Sequence, residues 1–180
     1  MSGGVFWHSR GMPRRLPALL AALALGATLA GCATGPYSPR GVPAGAPRAE
    51  VLRIMGPPTA VYTMADGHER LEYNRMPFGR QTYMIDLDAA GRMAHWENVL
   101  DEHHFAAIQP GMAREDVLRL IGPPSFTTGY RLPEPGITWN WRFETPLRCI
   151  VFQVAFSVAT GRVVDAGGYP PDTTCADEWM

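Results

Sequence analysis

The sequence predicts an α+β fold of two tandem units, each a short helix or helix pair packed on an antiparallel sheet of three to four strands. Three observations predict it. A fourteen-residue phrase occurs twice, beginning at Gly45 and at Gly111, and eight of its positions are identical. Each copy is followed by stretches in which apolar and polar residues alternate. Each series of strands closes on the same hairpin signal, Gly91-Arg92 and Gly161-Arg162.

The phrase reads as one short helix with its own stop. Glu50, Glu115 and Asp116 fall in the first turn, where carboxylates complement the helix dipole. Val51, Leu52 and Met55, and likewise Val117, Leu118 and Ile121, recur at helical spacing. Gly56 and Gly122 stand where a left-handed residue ends a helix, and the prolines behind them forbid continuation. A helix this short is not stable alone in water, so its apolar stripe must be buried on the strands that follow.

The first 31 residues are read as a signal peptide. Arg10, Arg14 and Arg15 precede an apolar run, Leu16 to Leu29, that is short for a membrane span. Met12 is a second possible start. Leu29-Ala30-Gly31-Cys32 resembles the lipobox of bacterial lipoproteins. The resemblance implies cleavage before Cys32, acylation of Cys32 and, with Ala33 after it, sorting to the outer membrane. Two or more acyl chains anchor stably where one does not. Residues 32–44, rich in proline and glycine, are expected to be a flexible tether.

The first unit is expected over 45–100. Ala60 to Met64 reads as a short strand and Asp66-Gly67 as a turn. Leu71 and Tyr73 alternate with Glu72 and Asn74 in a half-buried strand. Tyr83, Ile85 and Leu87 share one face of the next, and Met93 to Leu100 returns as the last. The second unit is expected over 101–169. Asp101 to Ile108 opens it as a helix, and the signature helix runs from about Arg114 to Ile121. Thr127 to Pro135 reads as a loop with room for a short strand. Trp139, Trp141 and Phe143 alternate with polar residues. Ile150, Phe152, Val154, Phe156 and Val158 form the longest alternation in the chain, and Val163 to Gly168 is the last strand. Residues 170–180 read as an irregular tail.

The helix ending in Gly-Pro-Pro, the aromatic strand and the Gly-Arg hairpin together resemble the SmpA/OmlA (BamE-like) family of outer-membrane lipoproteins. Gly111, Met112, Val117, Ile121, Gly122 and Pro124 match its phrase in one copy; Gly45, Val51, Met55, Gly56 and Pro58 match in the other. The aromatic strand falls on Tyr73 and on Trp139 to Trp141, and the hairpin on Leu87, Asp88, Gly91 and Arg92. The family's capping threonine is replaced by Pro47 and Ala113, and the family has one unit where this chain has two. Secreted β-lactamase-inhibitor proteins are similar in their tandem layout. The resemblance implies a non-enzymatic protein-interaction module, lipid-anchored on the periplasmic face of the outer membrane, with an envelope protein as partner. The β-barrel assembly machinery is one such partner; inhibition of an envelope enzyme through a concave sheet face is the alternative.

Composition narrows the partners. Residues 32–180 carry 13 arginines and no lysine against 17 acidic side chains, with no basic run, which argues against nucleic acid. With Cys32 taken by lipid, Cys149 and Cys175 remain. In an oxidising compartment they form either a disulfide or two independent thiols. No catalytic constellation, metal-ligand set or cofactor motif is recognised. Glu102, His103 and His104 are adjacent on a helix and do not face one site; Asp86 and Asp88 read as a solvated edge. The binding candidates are Tyr73, Trp139, Trp141 and Phe143. They either pack under helices or form a recognition surface.

Overall fold

The computed structural model describes residues 38–131 and 134–175, which fall within one compact unit. Helix α1 (Arg48–Met55) is followed by β1 (Ala60–Thr63), β2 (Glu69–Asn74), β3 (Thr82–Leu87) and β4 (Met93–Asn98). Helices α2 (Glu102–Ala106) and α3 (Arg114–Ile121) then precede β5 (Phe126–Tyr130), β6 (Gly136–Thr145), β7 (Arg148–Ser157) and β8 (Val163–Gly168). Both sheets are antiparallel meanders, β1-β2-β3-β4 and β5-β6-β7-β8. The fold is α+β in two tandem units.

The two units are held by the same bonds. In each, the arginine of the Gly-Arg hairpin reaches back to the glycine that opens the repeated phrase. Arg92 Nη1 donates to Gly45 O at 3.1 Å, and Arg162 Nη1 to Gly111 O at 2.7 Å. The main chain closes alongside: Gly45 N donates to Met93 O at 3.0 Å and Gly111 N to Val163 O at 2.8 Å. At the other end of the helix, an aromatic side chain of the second strand grips the stop glycine. Tyr73 Oη donates to Gly56 O at 3.2 Å, and Trp141 Nε1 to Gly122 O at 3.1 Å. A hydrogen bond contributes about 1 kcal/mol; a buried charged donor contributes more, but the Arg92 and Arg162 guanidinium groups are exposed and solvent-screened, which returns them to that figure. Arg92→Ala and Arg162→Ala should therefore each cost about 1 kcal/mol by urea denaturation, with additive losses, because the two sites share no partner.

The stop glycines depart from the expected left-handed conformation. Gly56 has φ 81° and ψ −168°, and Gly122 φ 74° and ψ −172°. This is the extended positive-φ region that only glycine occupies readily. It turns the chain out of the helix toward the next strand. The missing threonine caps are partly compensated: Asp116 accepts from the Ala113 N–H at 3.4 Å.

Sheet 1 has an apolar face of Leu71, Tyr73, Tyr83, Ile85 and Leu87, which packs with Val51 of α1. Its opposite face, carrying Arg70, Glu72, Thr82, Met84 and Asp86, is covered by the second unit. Met84 joins Val117 and Ile121 of α3 in the larger core. That core continues into sheet 2 through Phe105, Trp141, Phe143, Phe152, Val154 and Phe156. The order of layers is therefore α1, sheet 1, α2 with α3, sheet 2.

Residues 38–44, expected within the tether, are packed at Pro39 and Val42. Pro39–Gly41 form a 3-10 turn, and Val42 and Ala46 are buried against the first core. Their low periodicity concealed two apolar contacts. The loop near Thr127, read as having room for a short strand, holds β5, an edge strand whose exposed residues give no alternation. The tail begins in order: Ile150 bridges Pro171, and Thr173–Cys175 form a 3-10 turn. The expected signal peptide, Cys32 and residues 176–180 lie outside the described residues.

Candidate functional site

The aromatic side chains singled out as binding candidates are mostly core. Tyr73, Trp141 and Phe143 are 1%, 0% and 1% exposed. Each sheet has one apolar face, and in both units a helix covers it, so these three residues offer no contact surface. Trp139 is half-buried, with the Phe156 ring at 4.6 Å and the Arg114 guanidinium 5.9 Å from its ring. Phe105 stacks on Phe152 at 4.0 Å beneath this row.

The polar chemistry collects where unit 2 meets sheet 1. Glu72 is 1% exposed, although alternation along β2 pointed it to solvent. Its carboxylate accepts from Tyr62 Oη at 2.6 Å, Thr59 Oγ1 at 2.8 Å and the Asn74 amide. Burial, followed by the hydrogen bond to Glu72 and then its charge, raises the Tyr62 phenol, so it stays a donor. The Gly122 turn lies directly on this cluster: a Cβ there would stand 3.0 Å from Thr82 Cγ2 and 3.2 Å from Glu72 Oε2. A buried carboxylate without a cation needs such a complete set of donors.

Beside it runs an ionic chain. Arg70 pairs with Asp86 through Nε at 2.6 Å and Nη2 at 2.7 Å, and approaches Glu97 at 3.7 Å. His104 lies between Glu97, 3.2 Å from Nε2, and Asp101, 2.7 Å from Nδ1. Sequence distance hid this grouping, since Arg70 and His104 belong to different units. Glu102 and His103, in contrast, are exposed. Among the described residues no group of three His, Cys, Asp or Glu side chains is arranged to hold a metal ion.

A second polar group closes the far side of sheet 2. Asp172, nearly buried, lies 3.5 Å from Arg80 of unit 1 and 3.5 Å from Arg142 of β6. Arg142 Nη1 also donates to Pro77 O at 2.9 Å. Burial alone would raise the Asp172 carboxyl. The Thr174 hydroxyl and amide, with Arg142 and Arg80, outweigh it and hold the group below its ordinary 3.8. A depressed folded value means that this stabilisation is complete above the ordinary value and is lost as pH falls through the folded one. Asp172→Asn should therefore lose less stability than the unchanged chain between neutral and acid pH, measured by urea midpoints.

Cys149 is disulfide-bonded. The main chain of the tail runs beside it, with Asp172 N donating to Cys149 O at 3.1 Å. At the β6–β7 hairpin Leu147 is 91% exposed, and in the β2–β3 loop Phe78 is 81% exposed. Clefts of about 550 and 470 Å³ flank the hairpin, the second lined by Asp101, Glu102, His103 and Glu144. The Asp101 carboxylate in that cleft is already engaged by His104. No described helix is long and apolar enough to cross a membrane.

No protein-family model matches the chain, and no curated protein sequence matches it. Among solved structures, it is similar to one described as the X-ray structure of an osmotically inducible lipoprotein, OsmE. That structure is 28% identical, over 39% of this chain and 72% of the other, with a TM-score of 0.33.

Proposed function

We propose that this chain is an outer-membrane lipoprotein whose tandem units form a non-enzymatic protein-interaction module in the periplasm, accessory to β-barrel assembly or envelope integrity. The observation that carries this reading is Leu29-Ala30-Gly31-Cys32 at the end of an apolar run. The acyl chains supply membrane affinity, and the folded units supply the surface offered to an envelope partner. Linking two weak attachments raises effective concentration without new contacts. The bonds shared by the units support descent from one duplicated unit.

Inhibition of an enzyme through a concave sheet face called for exposed aromatics on one continuous sheet. The sheets are separate, and helices cover their aromatic faces. Those findings favour the first reading.

Labelling with a palmitate analogue tests the anchor. The unchanged chain should incorporate label and Cys32→Ala should not; equal label in both would sink the lipoprotein reading. For the partner, photo-crosslinking from Phe78 or Leu147 in intact cells should capture a component of barrel assembly. Capture of a cell-wall enzyme instead would move the reading to inhibition.

The Cys149 disulfide has Cys175 as its proposed partner. Closing a loop of roughly 26 residues, it contributes about 3 kcal/mol. Cys175→Ser should expose one further titratable thiol and lower the unfolding free energy by that amount, read from urea denaturation.

A further inference from the structure

The two units are stacked in the same sense, and this leaves two complementary surfaces at the ends of the stack. Within the chain, the junction is made by the polar face of sheet 1 and the helix end of unit 2. The Gly122 turn covers Glu72 and Thr82, and Arg70 Nη1 donates to Arg119 O at 3.4 Å. The residues of sheet 2 that correspond by strand pairing are Asn140 for Glu72, Val151 for Thr82 and Gln153 for Met84. The correspondence extends to the main chain: Thr59 N donates to Glu72 O at 2.7 Å, and Ser125 N to Asn140 O at 2.7 Å.

No third unit covers that second face. Residues Pro170 to Thr174 lie there, enclosing a cavity of about 190 Å³ with Asn140, Arg142, Val151 and Gln153. The clasp is looser than the junction it replaces. Both arginines stand 3.5 Å from Asp172, at the outer limit of a hydrogen bond, and the space that Arg142 shares with residues 170–174 is not filled. Arg80 Nε is buried with no hydrogen-bond partner among the described residues, and Arg142 Nε has the 3.5 Å approach of Asp172 but no hydrogen bond.

The other end of the stack is the mirror of this shortage. Ile121 and Gly122 are buried at the junction and Pro123 is half-buried, whereas Met55 and Gly56 are half-buried and Pro57 is exposed. The same phrase is more deeply buried in the second copy than in the first.

We propose that a second copy of this chain docks its α1 end and Gly56-Pro57-Pro58 turn on the Asn140–Val151–Gln153 face, and that residues 170–175 are the cap that prevents it. The contact is heterologous, so it propagates head to tail instead of closing as a dimer. Displacing the cap exposes the face; the first helix of the next copy takes the place that α3 holds on sheet 1. This association does not depend on acylation.

The test uses the chain from Ala33 onward, which retains the compact unit. Sedimentation velocity over a dilution series compares the unchanged oxidised chain with Asp172→Ala under reductant. The unchanged chain should remain monomeric, and the released chain should gain mass steadily with concentration. Adding Pro57→Arg to the released chain should abolish this self-association. Mixed with released chains, that double variant should terminate growth. Asp172→Asn, which keeps the side-chain volume, replaces Asp172→Ala if the latter loses its cooperative melt. A released chain that keeps its circular dichroism and melt yet stays monomeric at every concentration overturns the proposal. So does association that Pro57→Arg leaves unchanged.

Discussion

Trp141→Ala should destabilise the chain by about 3–5 kcal/mol, the range for emptying a large aromatic site in a core that relaxes only partly. Trp141 is fully buried, and it does two jobs. Its ring fills the larger core, 6.1 Å from Phe152 and 5.9 Å from Trp139. Its indole N–H also satisfies Gly122 O. Trp141→Phe separates the two. It keeps most of the packing, leaves a buried carbonyl without its donor, and should cost about 1–3 kcal/mol. Tyr73→Phe removes the matching bond to Gly56 O and should cost about 1 kcal/mol, because Gly56 is only half-buried. Equal losses for the Tyr73 and Trp141 phenylalanine variants would contradict the unequal burial of the two turns.

Gly122→Val is expected to be nearly as damaging, and Gly56→Val markedly less so. Both glycines occupy positive φ at extended ψ, where any side chain costs about 1–3 kcal/mol in strain. At Gly56 that is the whole cost, since no atom lies within 4 Å of the added Cβ. At Gly122 the new group meets Thr82 and Glu72 at 3.0 and 3.2 Å. Overpacking adds about 1–3 kcal/mol, for a total of about 2–6 kcal/mol. The difference between two substitutions at one position of the repeat measures the junction between units. Identical urea midpoints for the two variants would mean that unit 2 does not rest on sheet 1.

Much of the fold was legible because the chain states it locally. The second signature helix runs from Arg114 to Ile121 and the last strand from Val163 to Gly168, as periodicity and the Gly-Pro stop predict. What alternation cannot say is what lies over each face. Glu72 and Asn74 were read as the wet side of β2 because a single strand shows only that its sides differ. The element that buries Glu72 begins about fifty residues later. The same gap left Tyr73, Trp141 and Phe143 open as surface or core. Val42 was missed for another reason: one apolar residue among prolines and glycines has no period to betray it. The Arg70 to His104 chain and the Arg80–Asp172–Arg142 group are assembled from distant segments, and no local pattern encodes them.

The way the chain enters the fold has a mechanical consequence. Gly45 and Arg48 are tied to Met93 and Gly91 by main-chain bonds of 3.0 and 2.9 Å, and Val42 is wedged beside them. A tug delivered through the amino end loads these few links before any in unit 2. They act as a fuse: under tension the α1 hairpin lock should peel first, while the Trp141 core stays shut. An optical-trap trace drawn from that end should accordingly show a small early yield ahead of the main rupture.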